Sequence, residues 1–174
     1  MDRFYPVSAE GERLVNDALD KAAGLSPDDD VFNARRFRPE FVEGAELCRL
    51  SVLQPANDQG LAPGLRVALA RRMAALNADE ALIVQYSAQL ADLDPSEALL
   101  ALAEGSTDLD EPLKTIARHA DLVTLTPNRA EEGDIARLAE AGLNNPQIVA
   151  LSELIAFVNF QTRVATGLRL VRSA

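Results

Sequence analysis

The sequence contains a single cysteine and a single histidine among its 174 residues. One cysteine cannot form an internal disulfide, and one histidine excludes a multi-His metal centre, so we predict no metal and no cofactor. Positive charge is also scarce, because 17 Lys and Arg residues face 27 Asp and Glu residues, for a formal net charge of −10. A chain this acidic repels phosphate backbones unless it carries a local basic face. We therefore expect no nucleic-acid partner.

We expect neither a leader peptide nor a membrane span in this sequence. Residues 1–12 carry an early acid and no apolar run, which is unlike a secretory signal. The most apolar tract, residues 148–164, contains Glu153 and Arg163 and is interrupted by further polar residues. It is too short and too polar for a bilayer. These features predict a cytoplasmic protein without membrane contact.

What the sequence has in abundance is alanine and leucine, with 55 residues of these two types against 17 of valine and isoleucine. Alanine and leucine lose little on entering a helix, whereas β-branched residues favour strands. We therefore predict an all-α fold of about eight helices. We treat residues 1–174 as one domain, with a helix and an irregular arm in residues 1–38 and a helical core in residues 39–174.

Local start and stop signals place the individual helices. Capping residues, prolines in the first turn and terminal glycines predict helices over residues 8–23, 40–53, 63–76, 80–91, 94–105, 110–123, 127–141 and from 145 onward. Ser8 would cap the first helix, Asp79 the fourth and Asp94 the fifth. Residues 25–38 are predicted to be irregular.

Three segments, taken in order, resemble a known family. They are LRVALARRMAALN at residues 65–77, HADLVTLTP at residues 119–127, and LAEAGL at residues 138–143 followed by IAFVNFQTRVA at residues 155–165. Their order and spacing are similar to those of the alkylhydroperoxidase-D-like, or carboxymuconolactone decarboxylase, superfamily, and most of all to its peroxidase-related branch. The resemblance covers roughly residues 40–170. It implies an all-helical fold that assembles into dimers, trimers or hexamers.

The redox-active members of that superfamily carry Cys-x-x-Cys-x-x-x-His just after the Leu-Asn that closes a helix. A thiolate at a helix N-terminus is stabilised by free N–H groups and the helix dipole, and the second cysteine resolves its oxidised form. Aligned on Leu-Asn, the two cysteine positions here are Asp79 and Leu82, and the histidine position is Tyr86. The family's activating glutamate falls near Val67. Because a carboxylate cannot cycle through thiol oxidation states, the resemblance argues against thiol peroxidase activity.

Four residues are candidates for acid/base chemistry: Asp79, Glu80, Tyr86 and His119. The two adjacent carboxylates could act as acid, base or ligand, but an N-cap followed by a first-turn acid explains them equally simply. Tyr86 lies two turns beyond Asp79 on the same face, where it could donate to a bound oxyanion or pack in the core. His119 could replace the missing histidine, cap the end of its helix, or pair with a neighbouring acid such as Asp121.

Other polar residues suggest structural roles. We interpret Cys48 as a buried, inert thiol, although Arg49 could activate it if it were exposed. The basic run at residues 35–38 could clamp an anion, but a bridge to residues 28–30 or to another subunit is the favoured interpretation. Asn159 and Arg163, one turn apart, should hydrogen-bond to another helix or subunit, with a role in lining a pocket as the alternative.

Three functions remain in competition. The first is a degenerate, homo-oligomeric member of the superfamily that binds an unknown small molecule or serves as partner subunit of an active paralogue. The second is a cofactor-independent decarboxylase-type enzyme using Asp79, Glu80, Tyr86 and His119. The third is a helix-turn-helix protein built on residues 134–157, but its would-be recognition helix has no Lys or Arg and carries Glu153.

Overall fold

The computed structural model describes residues 17–173, and this part of the chain contains nine α-helices, one 3₁₀ turn and no strand. The all-α prediction is confirmed. Ser8 and the start of the first predicted helix lie outside the described residues. The helices are α1 (Ala18–Ala23), α2 (Asp30–Arg35), α3 (Pro39–Leu53), α4 (Pro63–Leu76), α5 (Glu80–Ala91), α6 (Glu97–Ala103), α7 (Leu113–Leu125), α8 (Glu132–Glu140) and α9 (Asn145–Arg172), with the 3₁₀ turn at Pro127–Arg129.

Helix α4 is the centre of the fold. It packs against α3, α5, α6, α7 and α9, and eight of its fourteen residues are buried. Pro63 stands in its first turn, where a missing N–H costs nothing. A helix that is covered on nearly every side needs small and apolar residues all round, which the alanines and leucines of α4 supply.

Two buried arginines of α4 bind neighbouring loops and helix ends. Arg72 binds both carboxylate oxygens of Asp121 at 2.7 Å. It also donates to the carbonyls of Leu102, in the last turn of α6, and of Ser106, just after that helix. Arg66 donates at 2.7 Å to the carbonyls of Val52, Asp58 and Leu61. A buried guanidinium is stable only when its donors are used. Arg72 therefore fixes α6 and α7 against α4, and Arg66 fixes the end of α3 and the loop that follows it.

Helix α9 is longer than the apolar tract that we recognised in the sequence. It runs for 28 residues and, by length and composition alone, is long and apolar enough to cross a membrane. The expectation that this region is too short and too polar for a span is therefore wrong by both criteria. Within the fold, 61% of the most apolar window is buried against other helices, as in the core helix of a folded domain.

The structure corrects the arm predicted at residues 25–38, which contains the helix α2. Phe32 is fully buried in a small cluster with Ala23 and Leu25, and this tertiary contact organises α2 where local signals are weak. The basic run pairs with acids other than the expected residues 28–30. Arg35 and Arg36 both bind the buried carboxylate of Asp20, and Arg35 also binds Asp17.

Four further helix starts differ from prediction. Helix α1 begins at Ala18 with Asp17 as its N-cap, so the predicted helix over residues 8–23 is not continuous. The helix predicted over residues 127–141 is a 3₁₀ turn followed by α8, which begins at Glu132.

The N-cap of α6 is Ser96, whose hydroxyl accepts from the Leu99 N–H at 3.4 Å, and not Asp94. Asp94 has a positive φ of 47° and so cannot occupy the extended backbone of an N-cap. Helix α7 begins at Leu113 and not at Asp110, because Pro112 takes the N-cap position.

Candidate functional site

The position that the resemblance aligns with the first redox cysteine holds Asp79, which forms an ion pair with Arg169. We call this ion pair and its surroundings the Asp79 corner. Asp79 is 3% exposed and caps α5, accepting the Leu82 N–H at 3.2 Å. Its other oxygen lies 2.6 Å from Nη2 of Arg169, near the end of α9. The same guanidinium donates to the Ala22 carbonyl of α1 at 2.9 Å. The carboxylate therefore links three helices, and its hydrogen-bonding capacity is spent on the fold.

Tyr86 is also committed to the interior. Its ring is 1% exposed, and its hydroxyl donates to Oε1 of Gln161 on α9. Burial raises the pKa of Tyr86, Arg49 lowers it, and Asp79 raises it further, so the phenol is protonated at neutral pH. The void beside Gln161 measures about 10 Å³, room for a single water molecule at most. Tyr86 is thus a core residue with a satisfied hydroxyl.

The remaining candidate residues lie elsewhere. Glu80 is exposed in the first turn of α5. His119, on α7, lines a cleft whose lining contains none of Asp79, Glu80 or Tyr86. The structure therefore brings Asp79 and Tyr86 near each other but does not place His119 in the same cavity. The acid/base constellation of the decarboxylase-type alternative is not assembled by the described chain, and that alternative stays a prediction.

We call this space the His119 cleft. It lies between α7, the 3₁₀ turn with the start of α8, and α9, and its volume is about 680 Å³. That volume falls within the range of small-molecule sites. Apolar side chains supply much of the wall, including Val123, Ile135 and Ile155. The polar members are His119, Glu131, Glu132, Ser152, Asn159 and Arg163.

The histidine of this cleft is buried without a partner. His119 is 7% exposed, and its Nδ1 has no hydrogen-bond partner among the described residues. It neither pairs with Asp121, which binds Arg72, nor with Glu111. Burial lowers the pKa of His119 below its ordinary value, and Asp134 opposes this, so the imidazole is neutral at pH 7. A buried polar atom without a partner is costly and needs an explanation.

Of the three polar side chains of α9 in this cleft, Ser152 and Asn159 are hydrogen-bonded and Arg163 is free. Asn159 accepts from Asn77 at 3.2 Å and donates to Thr124 at 3.2 Å, which confirms the expected bonds to other helices. Arg163 is exposed, lines the cleft, and forms no ion pair or hydrogen bond within the described chain. Arg163 therefore lines a pocket, which was the alternative interpretation of this residue pair. Glu131 and Glu132 were not recognised as cleft residues from the sequence, because exposed acids at a helix start carry no distinguishing signal.

A second cleft, of about 770 Å³, lies between α1, α3 and α5. Among its charged side chains, Arg49 binds Glu46 at 2.6 Å and Asp17 binds Arg35, whereas Lys21 and Glu43 form no ion pair among the described residues. Gln89 in the same wall has a buried Oε1 without a hydrogen-bond partner, but this cleft has no imidazole. The nearby helix α3 also corrects one interpretation, since Cys48 is exposed rather than buried. Its neighbours Leu47 and Leu50 on α3 are also exposed. We regard the His119 cleft as the candidate site because its imidazole and guanidinium are uncommitted.

Comparison with known proteins yields a likeness of fold. No family model matches the chain, and no curated protein matches it. Among solved structures, it is similar to an uncharacterised peroxidase-related protein from Silicibacter sp. TM1040, with a TM-score of 0.67 and 19% sequence identity. The match covers 85% of this chain and 77% of that one. The protein therefore has a peroxidase-related helical fold.

Proposed function

We propose that this protein is a non-redox member of the alkylhydroperoxidase-D-like superfamily that binds a small molecule in the His119 cleft. The observation that carries the proposal is the buried, unpartnered imidazole of His119 in a cavity of ligand size, beside an uncommitted guanidinium at Arg163. Unsatisfied polar groups in an otherwise apolar cleft are typical of sites that complete their hydrogen bonds with a ligand.

The non-redox part of the proposal is supported by the Asp79 corner. The aligned thiol positions hold Asp79, which is ion-paired, and Leu82, which is fully buried. Cys48 lies on α3, a different helix. We expect the purified protein to show no robust thiol-dependent peroxide turnover. Turnover that is abolished by Cys48→Ser would contradict this.

The binding part can be tested through the single histidine. Imidazole NMR signals of isotopically labelled protein report His119 alone, because the chain has one histidine. We expect at least one of benzyl alcohol, benzamide and benzoate to shift these signals saturably. Ala156→Phe should fill the cleft and abolish the shifts, whereas Ala136→Phe, at an exposed position of α8 outside the lining, should leave them unchanged. Failure of every probe to shift His119 would contradict the proposal.

We also propose that the protein is a cytoplasmic homo-oligomer, or the partner subunit of an active paralogue. Exposed apolar side chains on α9 support self-association: Val149, Phe160, Leu170 and Val171. Light scattering coupled to size-exclusion chromatography should give a mass of two, three or six chains. Phe160→Glu should lower that mass, and a monomer at micromolar concentration would contradict self-association.

A further inference from the structure

We propose that the His119 cleft is selective for a small apolar monocarboxylate, whose carboxylate group binds Arg163 and His119. This inference rests on the proposed function, since it names the ligand class of the same site. Arg163, His119, the two glutamates and the apolar wall of the cleft each limit what it can bind.

The guanidinium of Arg163 is free to bind an anion. Most arginines in the described chain are engaged: Arg72 binds Asp121, and Arg169 binds Asp79. Arg118 and Arg129, like Arg163, form no ion pair among the described residues, but they line a different, shallower groove. Arg163 is thus the uncommitted arginine of the His119 cleft. The planar fork of a guanidinium matches the two oxygens of a carboxylate.

His119 provides the second contact. A neutral imidazole has one N–H donor and one acceptor nitrogen, and its tautomer adapts to the partner. A carboxylate within reach would accept the imidazole N–H and, as a nearby negative charge, would favour the protonated form. Binding of a carboxylate beside His119 in the cleft would therefore raise the pKa that burial lowers.

The opposing acids limit the charge of the ligand. Glu131 and Glu132 line the same cleft and carry two negative charges against the single positive charge of Arg163. His119 adds no charge at neutral pH, and Asp134 lies close enough to act on its pKa. A dianion would be repelled more strongly than a monoanion, because one guanidinium can neutralise one carboxylate.

The walls determine the body of the ligand. Val123, Ile135 and Ile155 offer apolar surface between the polar ends of the cleft. An aromatic or branched aliphatic group would cover this surface and lose its own contact with water. The combination of one carboxylate with an apolar body is met by benzoate, which fits easily in about 680 Å³.

The experiment compares benzoate with benzamide, its neutral near-isostere, and with phthalate, a dianion, by following the NMR signals of His119. We expect benzoate to bind about tenfold more tightly than either probe and to raise the pKa of His119. Arg163→Gln should weaken benzoate about tenfold and leave benzamide unchanged, and Arg163→Lys should restore part of the affinity. Arg38→Gln, an exposed arginine that lies outside the cleft lining, is the control and should change neither affinity.

Equal affinity for benzamide and benzoate would overturn this inference, and so would benzoate binding that is unchanged in Arg163→Gln. Either result would leave the proposed function intact, because the cleft would still bind a small molecule. Silence of His119 toward these three probes and toward benzyl alcohol would overturn both. A preference for phthalate over benzoate would likewise overturn the monocarboxylate assignment.

Discussion

The Asp79 corner and the His119 cleft each place a titratable side chain beneath the surface, but only the corner provides it with partners. Asp79 has an N–H donor from Leu82 and a guanidinium from Arg169. His119 has a buried nitrogen with neither. Asp79 is therefore part of the structural framework, whereas His119 has an unsatisfied buried nitrogen.

We expect the largest loss of stability when the ion pair of the Asp79 corner is broken. Asp79→Ala removes the cap of α5 and leaves Arg169 without its carboxylate, so we expect the free energy of unfolding to fall by about 3 kcal/mol. Because the Arg169 side chain is 36% exposed, the loss should lie at the lower end for a broken buried pair. Urea denaturation measures it.

The control for this prediction is Asp92→Ala. Asp92 is an exposed residue at the other end of α5, and its loss should change the free energy of unfolding by no more than about 0.5 kcal/mol. If Asp79→Ala lowers the free energy of unfolding by less than about 1 kcal/mol, the ion pair and cap of the Asp79 corner do not stabilise the fold.

A smaller loss is expected from Tyr86→Phe, which leaves the buried Oε1 of Gln161 without its donor. We expect the free energy of unfolding to fall by about 1 to 2 kcal/mol. Adding Gln161→Met should recover part of the loss, since replacing both partners removes the unsatisfied acceptor. If the double variant is less stable than Tyr86→Phe alone, the hydrogen bond is not the cause.

The comparison also shows what local sequence signals can predict. The N-cap at Asp79 and the end of the first helix at residue 23 could be predicted because the hydrogen bonds or backbone angles that define them lie within a few residues. Helix α2 was missed because its stability comes from burial of Phe32, a tertiary contact that no short window contains.

The candidate site was predictable only in its parts. His119 stands out as the single imidazole, and Arg163 as a cation in an apolar helix. That they share one cleft depends on how α7, α8 and α9 pack, which periodicity does not specify. The partner of Asp79 was equally hidden, because Arg169 lies 90 residues away in the chain.

His119→Leu tests the His119 cleft and should cost much less stability than Asp79→Ala. It removes a buried nitrogen without a partner, so we expect the free energy of unfolding at pH 7 to change by less than about 1 kcal/mol. Chemical denaturation of both variants under one set of conditions makes the contrast direct. A loss of about 3 kcal/mol would show that His119 has a structural partner after all.

The same residue predicts a pH dependence. Burial lowers the pKa of His119, so the unfolded chain takes up its proton first, and stability should fall as pH drops below about 6.5. Asp29, Glu40 and Asp134 have lowered pKa values and titrate in more acidic solution. Between pH 7 and 5, His119→Leu should therefore lose less stability than the wild type, and parallel curves would contradict this.

The smallest expected effect sharpens the comparison on a single helix. Arg163 and Arg169 both belong to α9, but Arg163 has no ion pair among the described residues, whereas Arg169 neutralises a buried carboxylate. Arg163→Gln should change the free energy of unfolding by no more than about 0.5 kcal/mol, and Arg169→Gln should cost about 2 kcal/mol, because it leaves the charge of Asp79 buried and alone. Equal losses in urea denaturation would place both arginines in the scaffold. If only Arg169→Gln lowers stability, folding does not require Arg163. Its guanidinium is then available to bind a ligand in the cleft.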